Sequence, residues 1–223
     1  MSKPPKKTDS DKPWNRPVRK RLVGVRSARV RILLVCEDTK SAVYYFKRIQ
    51  ELLPPNVVFL YSLGTGMNTQ SLINEVDNIR CREEKRLRIS FDQIWAFFDK
   101  DSFGDAQFDN AIRSGVAKGY RVAWSNECFE LWYLLHFQKQ FSAMPRKAIY
   151  DRLSVHLGVR HYEDLKGEDG IRIHRRMAED SEARKEAIKR AAKLDEKGQI
   201  PFHRQNPLTK VYLLFNELES WIV

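Results

Sequence analysis

Two acids follow an apolar stretch of the chain, and their spacing suits metal binding. Ile94–Phe98 is an unbroken apolar run, followed by Asp99 and, two residues later, by Asp101. Such a run fits a strand buried on both faces of a parallel sheet, so Asp99 is expected where the chain leaves the sheet. Ligands of open α/β sheets bind at that carboxyl edge, and two hard oxygen ligands there suit Mg²⁺ or Mn²⁺. The alternative is structural, because Asp at a strand end also caps helices or makes Asx-turns.

A third acid, Glu37, follows a second predicted strand. The segment Val30–Cys36 is nearly all apolar from Ile32 onward, and an amphipathic helix is predicted soon after Glu37. If the two strands are neighbours, as in the flavodoxin-like order 2-1-3-4, the three acids converge. Such a cluster would bind one or two divalent cations and align a phosphodiester for hydrolysis. Glu37 would hold metal or act as general base or acid, and Lys100 and Lys40 would neutralise the phosphate, with Lys100 as a catalytic residue.

A fourth acid, Glu130, lies in a segment that is predicted to be a buried helix. The helix after Asn126 is apolar nearly all round, and a helix of that kind is buried. A buried carboxylate must be paired, hydrogen-bonded or metal-bound, so Glu130 is expected to complete the catalytic site or to hold a basic side chain near it. Ser125 or Asn126 is predicted to cap this helix, which places Glu127 in its first turn. His136 is predicted to be a core histidine.

The positive charge is concentrated at the N-terminus. The whole chain carries a net charge of +11, and residues 1–31 alone hold eleven Lys or Arg and two Asp, a net of +9. Residues 1–28 are therefore predicted to be a disordered basic arm that binds nucleic acid through counterion release. The alternatives are a solubilising tail or a strap that docks on a partner. The predicted nucleic-acid-binding residues are Lys3, Lys6, Lys7, Lys12, Arg16, Arg19, Lys20 and Arg21.

The elements that must position these residues indicate an α/β, Rossmann-like fold. Four strands, each followed by a helix, would form a four-stranded parallel sheet flanked by helices. Residues 29–223 would form a single domain, with a core at 29–140 and a C-terminal helical elaboration at 141–223. Within the elaboration, Ile171–Leu194 is predicted as one long helix. A last helix is predicted to begin at Pro207, with Asn206 as its cap.

The composition indicates a cytoplasmic protein. The chain has 223 residues, enough for one domain with a full core. Its three cysteines are odd in number and lack metal-type spacing, which favours a reducing compartment. No apolar run reaches transmembrane length and no signal-like core is present, so no membrane partner is expected.

Three spaced landmarks resemble a known family. A Glu after the first strand and an Asp-x-Asp after the third resemble the TOPRIM fold of topoisomerases, primases and related nucleases. Ser125–Phe137 resembles the hallmark of the RloB family, Ser-Asn-Pro-x-Phe-Glu-Leu-Trp ending in His-Phe, and Asn206–Thr209 resembles its Asn-Pro-x-Thr. The resemblance covers about residues 30–220. Glu127 departs from it by standing where Pro is common, and Asp38 by standing where Gly usually follows the Glu.

The resemblance implies a TOPRIM-like, metal-dependent nuclease of bacterial anti-phage defence and abortive infection. It makes Glu37, Asp99 and Asp101 the metal ligands. Its implied partners are a nucleic acid, DNA or RNA with tRNA included, and an ATPase of the ABC or SMC-like kind encoded nearby, because this chain shows no ATP-binding motif. Whether the protein forms an oligomer stays open.

Two other classes of protein stay open. Asp-x-Asp after a strand also occurs in phosphatases with an aspartyl nucleophile. There it follows the first strand, usually with Thr or Val where Phe103 stands here. The other class is a non-catalytic module that binds nucleic acid or a partner through a degenerate TOPRIM site. Metal-dependent cleavage by the purified protein would discriminate between them.

Overall fold

The computed structural model describes residues 29–101, 103–195 and 200–222 and consists of one sheet covered by helices. The predicted basic arm, with all eight of its predicted nucleic-acid-binding residues, lies outside the described residues. The strands are β1 (Val30–Cys36), β2 (Val58–Gly64), β3 (Gln93–Asp99), β4 (Arg121–Asn126) and β5 (Leu208–Thr209). The helices are α1 (Ser41–Leu52), α2 (Thr69–Leu87), α3 (Asp105–Ala117), α4 (Glu130–Phe137), α5 (Arg146–Leu157), α6 (Ile171–Glu179), α7 (Ser181–Asp195) and α8 (Val211–Leu218).

The sheet has five strands, so the predicted count of four is wrong. The strand order is β2-β1-β3-β4-β5, in which the first four are parallel and β5 runs antiparallel to β4. Asn126 pairs with Leu208 and Ser125 with Thr209, so β5 covers an edge that β4 would otherwise expose. The last helix consequently begins at Val211 and not at Pro207. The sequence predicted an earlier start for this helix because Leu208 also fits its apolar stripe.

Consecutive residues of β3 point to opposite faces of the sheet, as the pleat requires. Phe97 packs against Phe46 of α1, with ring centroids 6.3 Å apart, and also contacts Phe129 just before α4. Phe98 packs against Phe108 of α3 at 5.8 Å. The next residue, Asp99, therefore lies on the α1 and α4 side of the sheet. Lys100 lies on the α3 side.

The C-terminal helices pack on the α1 and α4 side, where α6 contacts α1 and α7 contacts α4. The predicted long helix is two helices, and the break lies at Asp180, whose carboxylate accepts a hydrogen bond from the Ala183 N–H at 3.0 Å. The buried Arg184 of α7 forms an ion pair with Glu219 at 2.8 Å. Within the described part of the chain, no helix is long and apolar enough to cross a membrane.

Helix α4 begins later than the sequence predicts. Ser125 and Asn126 belong to β4 and do not cap the helix, because the Ser125 hydroxyl bonds to that of Thr209 at 2.7 Å and the Asn126 amide donates to the His203 carbonyl. Glu127 lies in the connecting loop, where its carboxylate accepts a hydrogen bond from the Arg146 N–H at 2.7 Å. Glu130 is instead the first residue of α4, directly beyond the carboxyl edge of the sheet.

Candidate functional site

An open pocket of about 170 Å³ lies at the carboxyl edge of β1 and β3. It brings together four of the acids predicted from the sequence, together with Asp38 and two cations. Phe97 and Phe98 complete the wall. The charged residues that line it are Glu37, Asp38, Asp99, Asp101, Glu130, Arg146 and Lys166.

Glu37 and Asp99 are neighbours because β1 and β3 pair directly, with Cys36 opposite Phe97. The Asp99 N–H donates to Glu37 Oε2 at 3.3 Å, and the Thr69 hydroxyl donates to the same oxygen at 3.5 Å. Burial raises the pKa of Glu37 to about 7, the hydrogen bond from Asp99 opposes this, and the charge of Asp101 adds to it. Glu37 can therefore gain or lose a proton near neutral pH.

Asp99 carries a carboxylate oxygen that is buried without a partner. Within the described part of the chain, Oδ1 of Asp99 makes no hydrogen bond. Burial raises the pKa of Asp99 well above its ordinary value, and the negative charge of Glu130 raises it further. A buried acceptor without a donor is costly, and a nearby cation would lower that cost.

One carboxylate oxygen of Glu130 contacts other side chains, and the other oxygen is buried without a partner, like Oδ1 of Asp99. Its side chain is 1% exposed. Oε1 accepts a hydrogen bond from the Ser41 hydroxyl at 2.8 Å and lies 3.2 Å from the ammonium of Lys166. Oε2 is buried and makes no hydrogen bond to the residues that the structure describes. Glu130 thus faces the acid cluster and also holds a basic side chain.

Asp101 lies at the open side of the pocket, where 41% of its side chain is exposed. Its backbone has a φ of 41°, a left-handed conformation that is uncommon outside glycine. The conformation is held by a hydrogen bond from the Asp101 N–H to the Glu127 carbonyl at 3.1 Å. The carboxylate forms an ion pair with Arg146 at 2.9 Å.

The structure does not bring Lys100 or Lys40 into the pocket. Lys100 lies on the α3 face, where its ammonium donates to the Phe103 carbonyl and pairs with Asp105 at 3.2 Å. Lys40 is exposed beside the turn between β1 and α1. The catalytic role of Lys100 stays a prediction, and the geometry gives it no contact with the acids.

Two cations, Arg146 and Lys166, were missed by reasoning from the sequence. Arg146 begins α5 and Lys166 follows a short 3₁₀ turn, both more than 15 residues beyond Glu130. Lys166 also donates to the Tyr150 hydroxyl at 2.9 Å. The one available signal was Glu130 itself, because a buried carboxylate requires a positive partner somewhere in the fold.

The pocket fits a divalent cation by donor chemistry but not by its present arrangement. Among the described residues, no group of three or more His, Cys, Asp or Glu side chains is arranged to hold a metal ion as it stands. The buried oxygens of Asp99 and Glu130 that lack partners are nevertheless hard donors of the type that Mg²⁺ and Mn²⁺ prefer. Glu37 would be the third donor, and Asp101 would join after releasing Arg146.

Comparison with known proteins identifies one family. The family model described as RloB-like protein matches residues 32–218, which include the whole sheet apart from the first two residues of β1. No curated protein and no solved structure matches the chain.

Proposed function

The chain belongs to the RloB-like protein family, and we propose that it is a divalent-metal-dependent nuclease that hydrolyses phosphodiester bonds. The observation that carries this proposal is the pair of buried carboxylate oxygens without partners, Asp99 Oδ1 and Glu130 Oε2, in one pocket. Burial raises the pKa of Asp99, and the negative charge of Glu130 raises it further. A bound cation would remove both penalties.

The residues of the pocket have complementary roles in this proposal. Glu37, Asp99 and Asp101 hold Mg²⁺ or Mn²⁺, and Glu130 completes the set. The metal would supply Lewis-acid activation of the phosphodiester and of a water molecule. Glu37, with its pKa of about 7, suits general acid or base catalysis. Arg146 and Lys166, released from their acids, would neutralise the phosphate of the substrate.

The remaining part of the proposal rests on the family resemblance. The order of β2, β1, β3 and β4, with acids after β1 and β3, is compatible with a TOPRIM-like arrangement. We infer a role as effector of a bacterial anti-phage or abortive-infection system under the control of an ABC or SMC-like ATPase. The substrate would be DNA or RNA, with tRNA among the candidates, and the protein would act in the cytoplasm.

Cleavage by the purified protein with Mg²⁺ or Mn²⁺, together with metal binding by calorimetry, tests the proposal. Asp99→Asn should abolish metal binding and cleavage without unfolding the protein. Asp151→Asn is the matched control, because Asp151 lies on the surface of α5 with 64% of its side chain exposed. Unchanged Mn²⁺ affinity in Asp99→Asn would refute the proposed site.

A second candidate is a non-catalytic module that binds nucleic acid or a partner. It is favoured by the two ion pairs, Asp101 with Arg146 and Glu130 with Lys166, which compensate two of the acids without metal. In such a module the charge pairs would keep the pocket folded, and metal would be neither bound nor needed. Failure of the purified wild type to bind Mn²⁺ would support this candidate.

A further inference from the structure

We propose that the end of α4 and the exposed side of α7 form a binding site for single-stranded nucleic acid. The site is a pocket of about 110 Å³, separate from the acid cluster. It combines basic side chains from two elements with an exposed aromatic ring. The residues that line it are Lys139, Gln140, Phe141, Glu186, Lys189, Arg190, Lys193 and Leu194.

The charge of this pocket is strongly positive. Its lining holds four cations and one anion, Glu186, which pairs with Lys189 at 2.8 Å. Lys139 and Lys193 are exposed and form no ion pair with the residues that the structure describes. Two exposed ammonium groups beside one concavity are suited to the phosphates of a polyanion. They neutralise phosphates and release counterions on binding.

The aromatic ring gives the pocket its preference for unpaired bases. Phe141 is 53% exposed, and among the described residues it is the one Phe, Tyr or Trp that is exposed. Successive bases of a single strand stack on aromatic rings of this kind, whereas the bases of a duplex are already stacked on each other. A basic groove with an exposed ring is therefore better matched to a single strand than to a duplex or an acidic peptide.

Hydrogen bonds hold in place the loop that carries Phe141 and the Arg190 side chain of α7. The side-chain amide of Gln140 is buried, donates to the Ser142 carbonyl at 2.6 Å and accepts from Arg152 of α5 at 3.4 Å, which fixes the loop on both sides of Phe141. Arg190 donates to the carbonyls of Leu135 and His136 at 2.7 and 3.1 Å, which fixes α7 against the end of α4.

The same helix connects this pocket to the acid cluster. α4 has Glu130 at one end and Phe137 at the other, and the binding pocket begins two residues later. At 1.5 Å per residue its ends are roughly 10 Å apart, which is short compared with the ~34 Å of one duplex turn. The separation is shorter than a 12-nucleotide strand, which at about 3.4 Å per nucleotide spans roughly 40 Å. The inference thus deepens the proposed nuclease function and rests on it for the identity of the substrate.

The test measures how tightly the full-length protein binds a fluorescent single-stranded oligonucleotide of about 12 nucleotides. Binding is followed by fluorescence anisotropy in EDTA. Phe141→Ala should weaken binding by roughly 5- to 150-fold without changing the salt dependence. Lys139→Gln/Lys193→Gln should weaken binding and lower the slope of log K against log salt by about 1.4. Phe141→Ala should leave duplex binding unchanged.

Matched controls come from the other face of the sheet. Val116→Ala removes an apolar side chain of α3 that is 59% exposed, and Lys85→Gln removes an exposed cation of α2. Neither should affect the affinity. Unchanged single-strand binding in both pocket variants would overturn the inference and would indicate that the pocket binds an acidic protein segment instead. An equal loss of duplex binding in Phe141→Ala would overturn the single-strand preference.

The outcomes separate this inference from the proposed function. Binding is measured in EDTA, where the proposed metal site holds no metal, so the losses expected in the pocket variants do not depend on the nuclease proposal. If cleavage is never observed while the pocket variants lose binding, the nuclease proposal fails and the single-strand site stands. If cleavage is normal in both pocket variants and binding is unchanged, the site fails and the nuclease proposal stands.

Discussion

Replacement of Glu130 by glutamine tests the charge balance of the candidate site. The glutamine carbonyl still accepts the hydrogen bond of the Ser41 hydroxyl, whereas Lys166 loses its anion. Removing one partner of a buried ion pair costs about 3–5 kcal/mol. Lys166 is 22% exposed and also donates to the Tyr150 hydroxyl, so we expect Glu130→Gln to lower the free energy of unfolding by about 2–3 kcal/mol.

The assay is urea unfolding in EDTA, followed by tryptophan fluorescence. Lys166→Met alone should also destabilise the protein, because it leaves Glu130 buried without its cation. The double variant Glu130→Gln/Lys166→Met should recover most of the loss, with a coupling free energy of about 2 kcal/mol in the double-mutant cycle. Ser41→Ala is the local control, because it removes a hydrogen bond to Glu130 without altering the charge.

A Glu130→Gln variant that unfolds in EDTA at the same urea concentration as the wild type, or a higher one, would refute the ion-pair reasoning. Nuclease activity tests the second oxygen of Glu130 separately. If Oε2 contributes to metal binding, activity per folded molecule should fall by orders of magnitude. A large loss of stability with activity per folded molecule preserved would show that Glu130 is structural only.

Four further results are expected. Asp99→Asn should raise the free energy of unfolding in EDTA at pH 8 by about 1–3 kcal/mol, because it removes a buried carboxylate near Glu130; a less stable variant would contradict this. The pKa of Glu37 is raised from 4.5 to about 7, so the folded state holds this proton more tightly and stability falls as pH rises from about 4.5 through 7. In Glu37→Gln, the free energy of unfolding measured across this pH range should fall by about 1–2 kcal/mol less than in the wild type, after allowance for the partial exposure of Glu37. An unchanged pH profile of stability in the variant would refute the raised pKa. Burial lowers the pKa of His136 to about 4, so stability should be lost as pH falls from about 6.5 towards 4. His136→Gln should remove this part of the acid destabilisation. A variant that loses as much stability in acid as the wild type would argue against the lowered pKa. Deletion of residues 1–21 should weaken binding of nucleic acid or of a partner and reduce its salt dependence, and an unchanged salt slope would exclude an electrostatic arm.

Local patterns in the sequence determined the main elements and the acids of the site. The apolar run before Asp99 predicted a buried strand, and β3 ends at Asp99. The helical spacing after Glu37 predicted α1, and α2 begins after a local cap, Asn68, which accepts a hydrogen bond from the Ser71 N–H at 3.0 Å. These features are local, because strand and helix periodicities and caps involve residues only a few positions apart. The meeting of Glu37 with Asp99 followed from one further rule, the parallel strand order.

Contacts between distant segments had to be learned from the tertiary structure. β5 forms because Leu208 and Thr209 find the open edge of β4, more than 80 residues earlier in the chain. Arg146 and Lys166 enter the acid pocket because α5 and the turn after it pack beside Glu130. No local pattern marks a residue for a partner so far away, since the pairing depends on how the elements pack.

The face of the sheet on which Lys100 lies could have been predicted from the sequence alone. Alternate residues of a strand point to opposite faces, so Lys100 cannot lie on the same side as Asp99 while the chain remains extended. Its ammonium indeed contacts the Phe103 carbonyl and Asp105 on the α3 side. The sequence therefore determined which residues stand at the carboxyl edge of the sheet. Packing of the helices decided which cations face the acids there, because side chains from separate segments meet only after the sheet is covered.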